Sequence, residues 1–200
     1  MRFLRVAMAQ INPTVGDIDG NTALIKAWIK EARRAKADLV AFPELAITGY
    51  PPEDLLFKAR FVDDAQRALK ALAADAHGLV VVVGYVGRDG TGDSLSKVAT
   101  TPAVGRHGLY NSAAVLAERR IVANYCKRHL PNYGVFDESR YFHPGTRLPL
   151  LILNGTTIGK VHAVASRERS AGAQLARCAC APALFAGSAS RGGGPLARRA

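Results

Sequence analysis

Cysteine is scarce in the 200-residue sequence, and long apolar runs are absent from it. Three cysteines, Cys126, Cys178 and Cys180, are too few for a disulfide framework, which excludes a disulfide-stabilised scaffold. No apolar stretch approaches the roughly 20 residues that a membrane-spanning helix needs. Residues 1–10 hold two arginines within an alternating apolar pattern, which is typical of a first strand rather than of a signal peptide. We therefore expect a cytoplasmic protein with no membrane partner.

Acidic residues are also few, since 16 Asp and Glu stand against 27 Lys and Arg and give a net charge of +11. A strong positive charge is a feature of proteins that bind nucleic acid. Here the charge is dispersed. Residues 162–200 hold six arginines and one glutamate, a net charge of +5, and residues 1–161 carry the remaining +6 along their whole length. We therefore expect no specific nucleic-acid partner.

Hydrophobic periodicity predicts a domain in which strands and helices alternate and strand pairs follow. Residues 24–32 have apolar side chains at helical spacing, and Asn21 is expected to cap this helix. The β-branched run 79–86 predicts a strand buried on both faces, and Asn154 and Gly155 predict a tight turn. The predicted elements are a strand at 3–11, a helix from 21, a strand at 38–42, a helix at 61–76, a strand at 79–86, and strand pairs at 109–116 with 121–126 and at 150–153 with 156–161. This order indicates an α/β layered domain.

The composition changes abruptly after Val161. Residues 162–200 contain twelve alanines, six arginines and five glycines, but no Ile, Tyr, Thr, Asn, Asp or Lys. We therefore divide the chain into a partial domain, 1–161, and an aberrant tail, 162–200, for which we predict no regular structure. GC-rich codons translated in the wrong frame give this composition. A low-complexity biological tail is the alternative. We favour the frame error, because the break interrupts a strand pattern that is still running.

Three segments resemble the nitrilase superfamily of carbon–nitrogen hydrolases. They are AQINPTVGDIDGN at 9–21, AFPELAITGYPPEDL at 41–55 and KRHLPNYGVFDESRYF at 127–142. Over their full length, these sequences are most similar to the N-terminal glutaminase domain of bacterial glutamine-dependent NAD synthetase. The resemblance covers residues 4–161, and it implies a nitrilase-type α-β-β-α sandwich that is incomplete at its C-terminal end.

The resemblance also implies a set of site residues. The family attacks an amide with a cysteine thiolate, which needs a neighbouring base and a positive donor beside the oxyanion. Glu44 corresponds to the base, Lys127 to the oxyanion stabiliser and Glu138 to an acid that orients the lysine. Tyr133 corresponds to a tyrosine of the glutamine pocket. Each residue taken alone has a plainer interpretation, namely a solvated loop glutamate, a solvated basic run or a packed core aromatic.

The nucleophile is the part of the pattern that the chain departs from. The family's cysteine follows a strand that ends in glycine, and the corresponding position after Gly159 is Ala163. Cys126 adjoins Lys127 on a strand, so its side chain should point to the opposite face, into the core. Cys178 and Cys180 form at most half of a metal site. We therefore expect no metal site, and a chain that is inactive as written.

The expected parent function is glutamine hydrolysis that supplies ammonia for the ATP-dependent conversion of deamido-NAD to NAD. The sequence contains no Ser-Gly-Gly-x-Asp-Ser loop for ATP. ATP and Mg are therefore expected to belong to a separate synthetase domain, and no cofactor is expected in this chain. Glutamine, that domain and further copies of the chain are the partners that the resemblance implies. The alternatives are another carbon–nitrogen hydrolase that acts on a small amide, or a non-catalytic fragment.

Overall fold

The computed structural model describes residues 3–88, 108–146, 150–153, 156–161 and 183–187. Its helices and strands are, in chain order, β1 (Val6–Met8), α1 (Ile18–Arg34), β2 (Leu39–Ala41), a 3₁₀ helix (Glu53–Phe57), α2 (Ala59–Ala73), β3 (Val80–Arg88), β4 (Leu109–Ala117), β5 (Arg120–Cys126), α3 (Glu138–Tyr141), β6 (Leu150–Leu153), β7 (Thr156–Val161) and β8 (Ala183–Gly187). Within these residues no helix is long and apolar enough to cross a membrane.

A five-stranded sheet forms the centre of the molecule, with the strands in the order β1-β2-β3-β4-β5. The first three strands run parallel, and β4 and β5 then return antiparallel. The prediction for β3 is confirmed, because its residues from Val80 to Gly87 are all buried. A strand covered on both faces needs apolar side chains at every position, which explains its continuous run of valines.

Both long helices cover one face of this sheet. Ile25 and Ile29 of α1 and Leu69 and Leu72 of α2 are fully buried in the cluster that also holds Val81. Because these residues recur at intervals of three or four, they lie on one stripe of each helix.

The start of α1 corrects one prediction. The helix begins at Ile18, and the Asp17 side chain caps it by accepting a hydrogen bond from the Gly20 N–H. Asn21, which the sequence suggested as the cap, is instead a buried residue inside the helix. Its amide donates to the carbonyl oxygens of Thr14 and Ile47, so it fixes two loops rather than the helix end.

A second sheet, in the order β6-β7-β8, packs on the face of the first sheet that the helices leave uncovered. Ile158 of β7 is buried in one cluster with Leu39, Val82 and Val115 of the first sheet. The described residues therefore form helix, sheet and sheet layers in that order. This is a mixed α/β fold of the nitrilase type, as predicted, and the described residues supply no helices on the outer side of the second sheet.

Part of the tail is described, and it is a strand. Residues 183–187 form β8, which pairs antiparallel with β7 at the edge of the second sheet. This strand differs from the expectation of a tail without regular structure. The rest of 162–200 lies outside the described residues, as do Asn154 and Gly155. The reading-frame interpretation of the tail stays a prediction.

Candidate active site

Glu44 lies just beyond the end of β2, on a segment held against β3. The Phe42 N–H donates to the Val82 carbonyl at 2.8 Å, and the Ile47 N–H donates to the Gly84 carbonyl at 3.4 Å. Leu45, the residue after Glu44, is fully buried. These contacts fix the backbone on both sides of Glu44, and only 10% of its side chain is exposed.

Lys127 follows β5 directly, and backbone hydrogen bonds fix it on both sides. Its N–H donates to the Asn111 carbonyl on β4, and its own carbonyl accepts from the Gly145 N–H, each at 2.8 Å. The side chain is only 5% exposed. Its ammonium Nζ lies 2.9 Å from Glu44 Oε1 and 2.9 Å from Glu138 Oε1. Glu44 and Lys127, which are 83 residues apart, therefore meet in one ion pair.

Glu138 is the first residue of the short helix α3. The Glu138 N–H donates to the Pro131 carbonyl, and Phe142 anchors the other end of the helix in an apolar cluster. The Glu138 side chain is only 7% exposed. The structure therefore brings three of the residues predicted from the sequence, Glu44, Lys127 and Glu138, into a single buried cluster.

Two further residues belong to this cluster and were not predicted. The Asn111 amide Nδ2 donates to Glu44 Oε1, and it lies 3.5 Å from Glu138 Oε2. The Tyr50 hydroxyl donates to Glu138 Oε1 at 3.2 Å. A sequence signal for Asn111 did exist, because an amide inside a largely buried strand needs a polar partner. Tyr50 lies within the segment 41–55 that carries the family resemblance.

The electrostatics of the cluster depend on burial. Burial raises the pKa of the Glu138 carboxyl above its ordinary value. The hydrogen bond and the charge of Lys127 oppose that rise, the nearby Glu44 adds to it, and the Tyr50 hydroxyl opposes it. Two carboxylates and one ammonium give the cluster a net charge of −1 when all are ionised. Among the described residues, no group of three or more His, Cys, Asp or Glu side chains could hold a metal ion.

A hollow of about 140 Å³ opens beside Glu44. Asn12, Pro13, Pro43, Glu44 and Tyr50 line it. It is smaller than the cavities of roughly 300–1,000 Å³ that hold drug-sized ligands, so it suits a small group.

Tyr133 is not among the residues that line this hollow. It is 54% exposed, and it packs edge to face on Phe136 with ring centroids 5.7 Å apart. The structure therefore does not bring Tyr133 to the cluster, and its contact with a substrate stays a prediction.

The cysteines and Ala163 need a separate account. Ala163, Cys178 and Cys180 lie outside the described residues. Cys126 is half-buried rather than fully buried, and its Sγ lies 3.5 Å from both the Ser112 hydroxyl and the Asn124 amide. It is thus held on the β4–β5 pair, next to Lys127 in the chain.

The fold and the site define a class. A layered α/β domain buries an ammonium between two carboxylates beside a small hollow, just beyond the ends of β2 and β5. The chain belongs to the carbon-nitrogen hydrolase family, whose model matches residues 5–176. This match runs past residue 161, the limit of the resemblance found in the sequence.

The curated relatives named here are glutamine-dependent NAD(+) synthetases. The glutamine-dependent NAD(+) synthetases of Xanthomonas campestris pv. campestris and Thermotoga maritima are 46% and 36% identical over 140 and 161 residues, which cover 70% and 80% of this chain. A solved structure of the Acinetobacter baumannii glutamine-dependent NAD+ synthetase is 35% identical and has a TM-score of 0.67. The match covers 80% of this chain and 27% of the Acinetobacter baumannii chain. The chain spans about a quarter of the length of the curated relatives it matches, 22% and 25% for the two named.

Proposed function

We propose that this chain is the amide-hydrolysing part of a glutamine-dependent NAD synthetase, and that it is inactive as written. The buried Glu44–Lys127–Glu138 cluster carries the proposal. A buried ammonium that two carboxylates hold is costly to assemble, and a carboxyl whose pKa is raised by burial, as that of Glu138 is, is typical of catalytic sites.

The geometry supports a division of labour within the cluster. Glu44 lines the hollow and is therefore the acid that reaches a substrate or a nucleophile there. In amide hydrolysis it would take the proton of an attacking thiol and return it to the leaving ammonia. Lys127 and Glu138 are not among the residues that line the hollow; Lys127 lies directly behind Glu44, and Glu138 holds its ammonium at 2.9 Å.

Lys127 would stabilise the oxyanion. An ammonium has three N–H donors. Two of them meet Glu44 and Glu138, which leaves the third for the oxygen of a tetrahedral intermediate. A donor that is fixed before the reaction begins, and that is shielded from water, stabilises the developing charge strongly.

Glutamine is the proposed substrate because the curated relatives are named glutamine-dependent. Ammonia released from it would pass to a synthetase domain that uses ATP and Mg to convert deamido-NAD to NAD. The two curated relatives are about four times as long as the stretch matched here, which leaves room for such a domain in them.

The proposed inactivity rests on Ala163, which has no nucleophilic atom. In a serine protease, loss of the nucleophile costs about 10⁶-fold in kcat. We expect a neighbouring reading frame just after Gly159 to encode a string similar to Ile-Cys-Glu-Asp. The absence of a cysteine codon there in every frame would contradict the frame-error explanation.

Ammonia release from glutamine tests the proposal. We expect none above background from the purified chain, none from Ala163→Cys alone, and clear release once the whole downstream frame is restored. The restored chain with Glu44→Gln is the matched control, and it should lose release by at least about 10²-fold. Robust release from the unrestored chain, abolished by Cys178→Ala or Cys180→Ala, would show that a tail cysteine is the nucleophile.

A second substrate class, small amides without an amino-acid end, is favoured by the lining of the hollow. Among the described residues that line it, Glu44 is the only charged one, and none is a cation that could pair with the α-carboxylate of glutamine. Acetamide and propionamide should therefore be compared with glutamine in the restored chain. Preference for the simple amides would replace glutamine in the proposal.

A further inference from the structure

Asn111 is a buried amide on β4, between Tyr110 and Ser112, and it contacts every charged member of the cluster. Only 3% of the residue is exposed. We propose that Asn111 is the positioning residue of this site, and that it holds the Glu44 and Glu138 carboxylates in place around the Lys127 ammonium.

The two N–H bonds of the Asn111 amide fit the two carboxylates. One N–H donates to Glu44 Oε1, and the other points toward Glu138 Oε2 at 3.5 Å. The same residue accepts the Lys127 N–H at 2.8 Å through its backbone carbonyl. Asn111 thus contacts three segments of the chain, namely the one after β2, the one after β5 and the start of α3.

The need for such a residue comes from charge. Two carboxylates that share one ammonium repel each other, and a buried pair of like charges separates or takes up a proton unless donors hold both members. An amide between them supplies hydrogen bonds without adding charge. A positively charged residue in this place would also bind the carboxylates, but it would change the net charge around Lys127.

Every described hydrogen bond to the Glu138 carboxylate comes from a donor, which favours the ionised form. Lys127, Asn111 and the Tyr50 hydroxyl all donate to it, while burial and the neighbouring Glu44 oppose ionisation. Glu44, Lys127 and Tyr50 are thus the titratable groups that face it. Removal of the Asn111 donor should make Glu138 harder to ionise.

The inference deepens the proposed function, on which it rests for the statement that these carboxylates serve amide hydrolysis. Its test needs neither glutamine nor turnover, so failure of either proposal can be recognised separately. The titration of the Glu138 carboxyl carbon is followed by NMR in the chain as it exists. Asn111→Leu, which keeps the size but removes the donor, should raise the midpoint by about one pH unit.

Ser112→Ala is the matched control. Ser112 is the next residue of β4 and is equally buried, but it lies on the opposite face of the strand, near Cys126. It should leave the Glu138 midpoint unchanged. Asn111→Asp, of nearly the same shape, adds a third carboxyl group and should raise the midpoint further.

Two results would overturn the proposal. One is a folded Asn111→Leu protein with the wild-type midpoint, and the other is an equal rise in Ser112→Ala. If Asn111→Leu does not fold, the Asn111→Asp protein decides, and an unchanged midpoint there would also overturn it.

Discussion

Lys127 shows what a buried charge requires of its neighbours. Its ammonium is almost fully removed from water, and it contacts two carboxylates at 2.9 Å. Removal of one partner from a buried ion pair costs about 3–5 kcal/mol, because the remaining charge stays buried without compensation. Such a cluster adds little to stability compared with apolar residues of similar size, which points to a role in chemistry rather than in folding.

The pH dependence of stability should report on Glu138. An acid whose folded pKa is raised stabilises the fold fully below its ordinary pKa of 4.5, and that contribution falls as the pH rises toward the folded pKa. Glu138→Gln cannot ionise and escapes this loss. We therefore expect the stability of Glu138→Gln, relative to wild type, to improve as the pH rises from 4.5 to 7.

Urea unfolding at several pH values measures this difference. Glu53→Gln, at an exposed glutamate of the 3₁₀ helix, is the control for the loss of one carboxylate from the chain. A difference for Glu138→Gln that is flat, or that moves against the variant, would contradict the prediction.

Sequence reasoning located part of the site and missed the rest for a physical reason. Glu44, Lys127 and Glu138 lie in segments whose amino-acid sequences are distinctive. Asn111 lies outside those segments, on β4 between Tyr110 and Ser112. The buried amide was a signal that it needs a polar partner, but which partner it has becomes clear only from the position of β4 between β3 and β5. Tyr133 was predicted from wording alone, and the exposed position of its side chain follows from a loop conformation that no local pattern specifies.

At the scale of elements, Gly84 on β3 determines how closely the Glu44 segment approaches the sheet. A Cβ built at Gly84 would lie 2.5 Å from the Leu45 nitrogen and 2.9 Å from the Glu44 carbonyl carbon, and it would also meet the Pro43 carbonyl oxygen. These are backbone atoms and cannot rotate away. The absence of a side chain at this position therefore lets the end of β2 lie on β3 and brings Glu44 within reach of Lys127.

Gly84→Ala should displace that segment. Overpacking of a tight site costs about 1–3 kcal/mol, and we expect a loss of this size in the free energy of unfolding. Gly78→Ala is a useful control, because a Cβ there meets nothing within 4 Å and only its φ of +70° is strained. It should cost about 1 kcal/mol and leave the Glu138 titration unchanged.

The Glu138 titration distinguishes the two glycine variants, since only Gly84→Ala should shift it through the movement of Glu44. A Gly84→Ala protein with wild-type stability and an unchanged Glu138 titration would show that the segment yields without cost.

Element types could be predicted from the sequence, whereas their ends could not. The apolar run of β3 and the strand pairs β4–β5 and β6–β7 follow from local pattern. The strand predicted at 3–11 is only Val6–Met8, because β2 offers just three residues to pair with. Asp17 rather than Asn21 begins α1, because Asn21 is needed to fix two loops, and that long-range contact leaves no local trace.

At the scale of the whole molecule, the packing of two sheets decides which strand positions are apolar. Ile158 of β7 is 3% exposed and contacts the face of the first sheet, while Ile152 of β6 is 72% exposed. The outer side of the second sheet is thus open at Ile152 in the part of the chain that the structure describes.

This difference gives a matched pair of variants. Ile158→Ala removes atoms from the interface between the sheets and should cost about 2–5 kcal/mol, because the cavity it leaves is only partly refilled. Ile152→Ala makes the same chemical change on an exposed side chain and should alter stability by no more than about 0.5 kcal/mol. Urea unfolding of both proteins measures the two values. Equal small losses would mean that the second sheet does not pack on the first in solution, and the helix–sheet–sheet order would then be wrong. Equal large losses would mean that the outer side is covered, since only a buried isoleucine loses that much.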